Sequence, residues 1–216
     1  MGPPGAGKGT QAKRLAERFG LAHLSSGDIF RAERASESEL GGRLARYMDA
    51  GELVPDEIVV AIMAKAIAGC GQDAGLLLDG FPRTVAQAEA LDAHLARAAA
   101  PLDAVLVIVA DEDEIIERIT GRRSCPRCGK AYHVKFLRPK TDNQCDVCGA
   151  GLVHRQDDTE AVARQRLEAY NRQTQPVIGY YRDRTRLEIL DIDGNPAPDE
   201  VTHAMVEALQ SLERRK

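Results

Sequence analysis

The sequence contains no tryptophan, and aromatic residues account for only 4% of its 216 positions. Proteins that bind single-stranded nucleic acid stack its bases on aromatic side chains, so this scarcity argues against such a binding surface. The formal net charge is −4, which excludes an overall basic field of the kind that attracts nucleic acid. We therefore expect no nucleic-acid partner.

Long apolar runs are also missing from the chain. No segment approaches the ~18 apolar residues that a membrane-spanning helix needs, and no signal peptide is recognisable. We expect no membrane partner and a location in the cytoplasm. The chain is 44% hydrophobic and 29% charged, which suits one compact domain with an inserted subdomain. Because no sequence feature indicates an oligomeric interface, we expect a monomer.

The most informative segment that is present lies at residues 2–10, which read GPPGAGKGT. A glycine-rich loop of this type turns successive backbone N–H groups inward, where they bind the phosphates of a nucleotide. Lys8 then reaches the β and γ phosphates, and the helix that follows adds the positive end of its dipole. The spacing fits the Walker A pattern, except that Gly9 replaces Ser or Thr and Thr10 comes one residue late. The alternative is a chance turn rich in glycine and proline.

Short apolar runs alternate with amphipathic segments, which predicts an α/β fold with a parallel sheet. Helices are expected at 11–19, from about 28, and at 37–50, 56–68, 85–98, 112–120, 159–184 (bent or broken at Pro176) and 199–212. Strands are expected at 21–24, 76–78, 102–109 and 187–192. The glycine-rich loop should lie at the carboxyl edge of this sheet, where open α/β folds bind ligands.

Residues 122–158 differ from the rest of the chain, because they are polar, show no long helical period and contain two Cys-x-x-Cys-Gly turns. The cysteines are Cys125, Cys128, Cys145 and Cys148. Four thiolates at this spacing form a tetrahedral structural zinc site with no open position for catalysis. Disulfides and free thiols are the alternatives, and a reducing cytoplasm disfavours disulfides. We expect Cys70 to be a packed apolar residue and His133 to be a loop residue, not a ligand.

Several arginines lie next to a predicted strand end or at the ends of the cysteine-containing segment. Phosphoryl transfer needs fixed positive charge, and the planar guanidinium supplies it well. Arg83 directly follows the strand at 76–78, whereas Arg122 and Arg155 stand at the entrance and exit of the cysteine-containing segment. An isolated arginine is usually a solvated surface charge, but these three positions favour phosphate binding.

In combination, these segments resemble the adenylate kinase family, in its long form with a zinc-binding lid. The matching segments are GPPGAGKGTQ, SSGDIFR, GELVPDEIV, LLLDGFPRT, GRR, AYHVKF, RQDD and RLEAYNRQTQPVIGYY, which together span nearly the whole chain. The resemblance implies a P-loop nucleoside-triphosphate-hydrolase-like parallel sheet flanked by helices. It implies reversible transfer of the γ-phosphoryl group of ATP to AMP, giving two ADP. The implied cofactors are a structural Zn²⁺ and Mg²⁺ bound with the nucleotide.

The resemblance also implies the site residues, position by position. The implied ATP-binding residues are Gly5, Ala6, Gly7, Lys8, Gly9, Thr10, Arg122, Ala131, Tyr132 and Asn195. The implied AMP-binding residues are Ser26, Arg31, Glu52, Leu53, Val54, Gly80, Phe81, Pro82, Arg83, Gln87, Arg155 and Arg166, with Gln87 at the adenine edge. The implied catalytic residues are Lys8, Arg83, Arg122, Arg155 and Arg166. Asp79 would orient water on Mg²⁺.

The resemblance divides the chain into core segments 1–25, 55–121 and 159–216, a nucleoside-monophosphate-binding helical insertion at 26–54 and a zinc-binding lid at 122–158. One departure concerns the segment before the glycine-rich loop. In the family an apolar strand precedes this loop, whereas only Met1 precedes it here. From this departure we expect Met1 to be an internal methionine of a longer chain; without that strand, the sheet would lose its middle member.

Four other interpretations remain open at this point. A sister nucleoside monophosphate kinase would phosphorylate UMP, CMP or GMP, or would use GTP as donor, although Gln87 and the four-cysteine lid favour adenine. A zinc-ribbon nucleic-acid-binding module fits poorly with the acidic net charge. A GTPase-like switch needs a guanine-binding Asn-Lys-x-Asp, which the sequence lacks. A truncated, inactive relative that only binds nucleotide is the fourth.

Overall fold

The computed structural model describes residues 1–36, 38–71, 75–184 and 187–214. Helices and parallel strands alternate along these residues, so the predicted α/β fold is confirmed. The helices are α1 (Lys8–Phe19), α2 (Ser26–Ala35), α3 (Glu39–Ala50), α4 (Asp56–Ala68), α5 (Val85–Arg97), α6 (Glu112–Thr120), α7 (Glu160–Ala169), α8 (Gln175–Arg182) and α9 (Pro198–Glu213). The strands are β1 (Ala22–Ser25), β2 (Leu76–Asp79), β3 (Ala104–Val109), β4 (Arg122–Ser124), β5 (Ala131–His133) and β6 (Glu188–Asp193). No helix within the described ranges is long and apolar enough to cross a membrane.

Short polar side chains fix the starts of several helices. The hydroxyl oxygens of Ser25, Ser38 and Thr84 each accept a hydrogen bond from the backbone N–H three residues further along. Each bond satisfies a donor in the first turn that the helix itself leaves unpaired. Local sequence signals of this kind explain why the predicted helices and the observed ones largely coincide.

Several predicted helix starts differ from the structure by one to three residues. The first helix begins at Lys8 and not at Gln11, because Gly7, with φ of 89°, turns the chain directly into α1. The last residues of the glycine-rich loop are therefore already helical. The helix predicted from Glu37 begins at Glu39; Glu37 itself lies outside the described residues.

The long helix predicted for 159–184 is interrupted, but Pro176 is not the point of interruption. The chain passes from α7 into a π-helical turn at Tyr170–Thr174 before α8 begins. Pro176 lacks a backbone N–H and its ring crowds the carbonyl four residues earlier, so the turn ahead of it opens. Within that turn, the Thr174 hydroxyl donates a hydrogen bond to the carbonyl oxygen of Arg83 at 2.9 Å.

The core strands form two parallel pairs. β1 pairs with β2, and β3 pairs with β6. In the described part of the chain, β2 and β3 are not hydrogen-bonded to each other, so the single sheet expected from the sequence is divided into two. Met1 lies on the β3 side of this division, where its carbonyl oxygen accepts a hydrogen bond from the Ile108 N–H at 2.9 Å. The sequence anticipates a sheet that lacks its middle member; local patterns do not encode which strands then pair, because the paired segments are far apart in sequence.

Helices cover both faces of these strand pairs. On one face, Leu15 of α1 and Met205 of α9 pack with Ile108 of β3. On the other, Ala88 of α5 and Tyr181 of α8 pack against the same strand pair. A third apolar cluster joins α2 to α5. These layers fix the glycine-rich loop against the core.

The segment 122–158 forms a separate small unit around an antiparallel pair, β4 and β5. His133, which we expected in a loop, lies in β5, so that prediction is wrong. Its Nε2 lies 3.1 Å from the carbonyl oxygen of Glu117, and a Cβ on Gly121 would overlap its ring. His133 therefore packs onto the end of α6 at the base of this unit, and it is not part of the cysteine cluster.

Gly2 provides a test of how tightly the loop is held against β3. Its φ is 135°, and an added Cβ would overlap the carbonyl oxygen of Ile108. We expect Gly2→Ala to destabilise the protein by about 2 kcal/mol, through steric overlap and backbone strain, and to lower Tm by roughly 4–8 °C. Thermal unfolding measures this shift.

Gly42 is the matched control, because it lies inside α3 with nothing within 4 Å of an added Cβ. Gly42→Ala should stabilise the protein by about 0.5–1 kcal/mol, since alanine favours helix. Equal effects of the two substitutions would contradict the close approach of Gly2 to β3.

Candidate functional site

The glycine-rich loop at residues 2–10 turns tightly into α1. Gly5 and Gly7 have φ of 80° and 89°, a region that side chains disfavour. Lys8 Nζ folds back and donates hydrogen bonds to two carbonyl oxygens of its own loop, at 2.7 and 2.6 Å. Burial lowers the pKa of Lys8 to about 7, although the nearby Asp79 carboxylate opposes this shift. The ammonium is thus held at the loop, in an environment short of negative charge.

Asp79, at the carboxyl end of β2, lies beside this loop. A Cβ added to Gly9 would lie 3.4 Å from Asp79 Oδ2, and His23 Nε2 lies 3.7 Å from the same oxygen. Burial acts to raise the pKa of Asp79, but the neighbouring His23 ring and the charge of Lys8 outweigh it and hold this pKa below its usual value. The loop is therefore at the carboxyl edge of the strands, as predicted, next to an ionised carboxylate.

A cavity of about 1610 Å³ begins at Lys8 and runs between the helices. Among the residues expected to bind AMP, those lining it are Arg31, Glu52, Leu53, Val54, Gly80, Phe81, Pro82, Arg83, Gln87 and Arg166. Ser26 and Arg155 do not line it. Ser26 instead donates a hydrogen bond to the Gly80 carbonyl oxygen at 2.7 Å, which ties the start of α2 to the loop after β2.

Gln87 is fully buried at the floor of this cavity. Its Oε1 accepts a hydrogen bond from the backbone N–H of Arg83 at 2.8 Å, and its Nε2 donates to Asp56 Oδ1 at 2.7 Å. The Arg83 side chain in turn donates from Nε to the Gly80 carbonyl oxygen at 2.7 Å. Burial, and then the charge of Arg166, lower the pKa of Arg83 to about 10. The Gln87 amide and the Arg83 guanidinium are therefore both held in fixed orientations.

Arg122 and Arg166 meet at a pair of adjacent aspartates. Arg122 binds the fully buried carboxylate of Asp158 with two hydrogen bonds, one of them 2.8 Å from Nε to Oδ2. Arg166 donates from Nη1 to Asp157 Oδ2 at 3.1 Å and lies 3.8 Å from Asp158 Oδ1. Burial is the largest single effect on the pKa of Arg122 and lowers it. The hydrogen bonds and negative charge of Asp158 nevertheless raise this pKa overall. Burial lowers the pKa of Arg166.

Arg155 differs from these arginines. Within the described residues, its side chain makes no hydrogen bond or ion pair at contact distance. Burial and then the positive charges of Arg122 and Arg31 lower its pKa to about 10. A guanidinium placed against like charges without a directly bonded carboxylate has an unmet preference for an anion.

The four cysteines of the segment 122–158 come together as predicted, with their Sγ atoms all within 4.8 Å of one another. In a tetrahedral zinc site with Zn–S bonds of about 2.3 Å, sulfur atoms lie about 3.8 Å apart. The turns that carry the sulfurs end at Gly129 and Gly149, whose φ values of 68° and 71° favour glycine. The donor set can hold a metal ion, whereas Cys70 lies apart from the cluster, half-buried just after the end of α4.

The other residues expected to bind ATP lie at two places. Ala131 and Tyr132 are in β5, where the Tyr132 ring is buried and its hydroxyl donates to Cys145 Sγ at 3.4 Å. Only the main chain of Tyr132 can therefore face a nucleotide. Asn195 follows β6 and donates from Nδ2 to Asp111 Oδ2 at 3.1 Å.

Four residues near these groups were not identified from the sequence. Asp56 orients Gln87, Asp158 binds Arg122, and Arg118 donates to the carbonyl oxygen of Asn195 at 3.1 Å. Lys13 of α1 donates to the carbonyl oxygen of Gly129 at 3.0 Å. Each contact joins residues distant in sequence, so only the fold reveals it; the doubled aspartate at 157–158 was the one local signal.

Comparison with known proteins agrees with this arrangement. A family model described as adenylate kinase matches residues 1–186. The chain is 49% identical, over 201 residues, to an adenylate kinase of Clostridium botulinum (strain Loch Maree / Type A3), covering 93% of this chain and 92% of the relative. It is 48% identical, over 210 residues, to an adenylate kinase of Carboxydothermus hydrogenoformans, covering 97% of each.

The buried carboxylate of Asp158 yields a prediction about stability. Asp158→Asn removes the charge that neutralises Arg122 and leaves a buried guanidinium without its counter-ion. We expect a loss of about 3 kcal/mol in the free energy of unfolding, measured by denaturant titration.

The control for this substitution is Glu160→Gln, which breaks the exposed pair between Glu160 and Arg164 in the next turn of the chain. Because solvent screens that pair, its removal should leave the unfolding midpoint unchanged. A neutral effect of Asp158→Asn would show that Arg122 does not depend on this carboxylate.

Proposed function

This chain belongs to the adenylate kinase family and reversibly transfers the terminal phosphoryl group of ATP to AMP, giving two ADP; from that premise we propose which of its residues perform each part of the reaction. The observation that carries the assignment is the convergence of positive charge. Lys8, Arg83 and Arg166 belong to different elements but line the same cavity. The charges of the two arginines, with that of Arg122, add to the lowering of the Lys8 pKa by burial. Such a cluster needs a polyanionic ligand, and the phosphates of two nucleotides supply it.

We assign the ATP phosphates to the loop residues Gly5 to Thr10. Backbone N–H groups of the loop and the first turn of α1 bind the phosphates, and Lys8 exchanges its two carbonyl partners for phosphate oxygens. Arg122, the main chain at Ala131 and Tyr132, and Asn195 complete the ATP site.

We assign AMP to the cavity that begins at Lys8, opposite the ATP phosphates. Glu52, Leu53, Val54 and residues 80–82 line this cavity and form its walls, while Gln87 binds the adenine edge. Ser26 holds the wall through its bond to Gly80. Arg31 and Arg83 bind the AMP phosphate, and the fixed orientation of Gln87 through Asp56 makes the base selection specific.

The reaction needs no protein nucleophile. An oxygen of the AMP phosphate attacks the γ phosphorus of ATP in line, that bond forms as the bond to the β–γ bridging oxygen breaks, and ADP leaves. Lys8, Arg83, Arg122, Arg155 and Arg166 stabilise the charge on the transferring group, which is the main source of catalysis in such transfers. Mg²⁺ bound with the nucleotide would supply further charge neutralisation, and Asp79 would orient its water. Because Gly9 replaces a hydroxyl residue, we assign the remaining metal ligands to phosphates and water.

We propose the division of the chain given above: core segments 1–25, 55–121 and 159–216, an AMP-binding insertion at 26–54 and a lid at 122–158. The lid covers the phosphates and excludes water, which would otherwise hydrolyse ATP. We propose that its metal is Zn²⁺ and is structural, because four thiolates leave no open position.

We further propose that the protein acts as a monomer in the cytoplasm, where it maintains the balance of adenine nucleotides. All the assigned site residues come from a single chain, and four reduced thiols suit a reducing compartment. Size-exclusion chromatography with light scattering tests the oligomeric state.

The direct test of the function is incubation with Mg²⁺ and ADP alone, followed by phosphorus NMR. ATP and AMP should appear in equal amounts. A panel of UMP, CMP and GMP as acceptors, with ATP as donor, tests base selection; faster transfer to any of them than to AMP would contradict the assignment of Gln87.

Substitution of Arg155 tests its role in catalysis separately from any role in folding. Because it makes no directly bonded contact in the described structure, Arg155→Ala should leave Tm unchanged while lowering kcat/KM by about 10³-fold, the scale seen for arginines that stabilise a transferring phosphoryl group. Arg164→Ala, at an exposed pair two residues from Arg166, is the control and should change neither quantity. Retained activity in the Arg155 variant would remove it from the catalytic set.

Removal of the metal tests its structural role. We expect about one zinc ion per chain by elemental analysis, and Cys145→Ser should lose it and lower Tm markedly, since structural zinc contributes on the order of 10 kcal/mol to folding. Cys70→Ser, outside the cluster, should retain the zinc and the stability. Full zinc occupancy in the Cys145 variant would contradict the four-thiolate site.

A further inference from the structure

Thr174 is a buried hydroxyl residue that no step of the proposed function uses. It lies at the end of the π-helical turn between α7 and α8 and is 8% exposed. Its hydroxyl donates a hydrogen bond to the Arg83 carbonyl oxygen at 2.9 Å, across 91 positions of the sequence. Thr174 also lines the cavity that we assign to AMP, together with Arg83 and Arg166. The bond therefore joins two elements that each contribute an arginine to this cavity.

The π-helical turn explains why this hydroxyl bonds outside its own helix. A threonine inside an α-helix commonly donates to the carbonyl oxygen four residues earlier. For Thr174 that acceptor is Tyr170, whose carbonyl oxygen accepts a hydrogen bond from the Gln175 N–H instead. Irregular turns of this type recur at functional sites. Here the turn presents a hydroxyl to a remote carbonyl oxygen in the cavity wall.

The Arg83 backbone is held from both sides. Its N–H donates to Gln87 Oε1 at 2.8 Å, and its carbonyl oxygen accepts from Thr174. Its side chain donates from Nε to the Gly80 carbonyl oxygen at 2.7 Å. Gln87 and Gly80 belong to the same stretch of chain as Arg83, so their bonds fix the shape of that stretch. Of the three bonds, only the one from Thr174 fixes where Arg83 lies relative to α7 and α8.

The position of Arg83 relative to α7 matters because α7 carries Arg166. Burial lowers the pKa of Arg83 and the charge of Arg166 lowers it further, so the two guanidiniums repel each other. Among the described residues, the Thr174 bond is the only hydrogen bond between residues 80–84 and residues 160–182. Apolar packing also joins α5 to α8 nearby, but that attraction is non-directional. The directional restraint on Arg83 therefore comes from Thr174.

We propose that Thr174 is a positioning residue for phosphoryl transfer. Its hydroxyl fixes the Arg83 backbone relative to Arg166, so that the two guanidiniums meet the phosphates from separate elements. The proposal rests on the phosphate-binding roles proposed above for these arginines, and it gives Thr174 no contact with substrate. Because such arginines act through a preset orientation, a small displacement of Arg83 should weaken both AMP binding and transfer.

The test replaces the hydroxyl with a methyl group of similar shape. Thr174→Val should lower kcat/KM for AMP by about 10-fold, close to the scale of one hydrogen bond, and should weaken AMP binding in calorimetry by a similar factor. KM for ATP should stay unchanged, because the bond lies in the wall of the AMP cavity. Thr174→Ser keeps the hydroxyl and should retain wild-type values. Thr174→Ala removes it without adding bulk and should reproduce the loss.

Tyr180→Phe is the matched control for lost stability. The Tyr180 hydroxyl of α8 donates to Asp92 of α5 at 2.8 Å, so this substitution breaks another hydrogen bond between distant elements without touching Arg83. We expect Tm to fall by similar amounts in Tyr180→Phe and Thr174→Val, with AMP affinity lost only in Thr174→Val. Wild-type AMP affinity in Thr174→Val, or an equal loss in both variants, would overturn the proposal.

Arg83→Ala distinguishes this proposal from the proposed function. Arg83→Ala should weaken AMP binding, and Thr174→Val added to it should cause no further loss, since no guanidinium is left to position. A full additional loss in the double variant would overturn the positioning role alone, because Thr174 would then not act through Arg83. Unchanged AMP binding in Arg83→Ala would contradict the phosphate-binding role of Arg83 itself, and the positioning role would fall with it.

Discussion

Mutual repulsion among buried cations is the constraint on which the site depends. Lys8, Arg83 and Arg166 each have a pKa lowered by burial, and neighbouring positive charges lower it further. Asp79, Asp157 and Asp158 offset only part of this charge. The fold holds this cluster together, and we propose that the phosphates of bound nucleotides complete its neutralisation. Folding free energy thus maintains an arrangement that favours phosphoryl transfer.

The proposed lid, residues 122–158, contributes to the same arrangement through its two ends. Arg122, in β4 at the start of this segment, binds Asp158 at its end. One buried ion pair therefore closes the segment into a loop. The Tyr132 ring packs with the cysteine cluster in the outer part of this segment. Because the lid is small, its orientation depends on these few contacts, together with the bond from Lys13 to Gly129.

The sequence predicted the parts of the structure that depend on local signals. Caps such as Ser25 and Thr84 fix the starts of helices, and the paired Cys-x-x-Cys turns bring the four cysteines together. The division of the sheet was not predictable in its details, because it depends on hydrogen bonds between distant strands. His133 was misassigned because its packing against Gly121 is a tertiary contact. The roles assigned to the nucleotide-binding residues remain predictions that the proposed experiments address.

The π-helical turn at Tyr170–Thr174 has a consequence for how this protein tolerates changes in length. Each residue of an α-helix turns its successor by about 100°. The extra residue in the π turn therefore sets the angular phase between α7, which carries Arg166, and α8, which carries Tyr181 in the core. A one-residue deletion there would keep both helices but rotate one relative to the other. Because α7 also carries the buried Ala163, such a change would move Arg166 and the packing of Ala163 against Ile115 and Ile119 together.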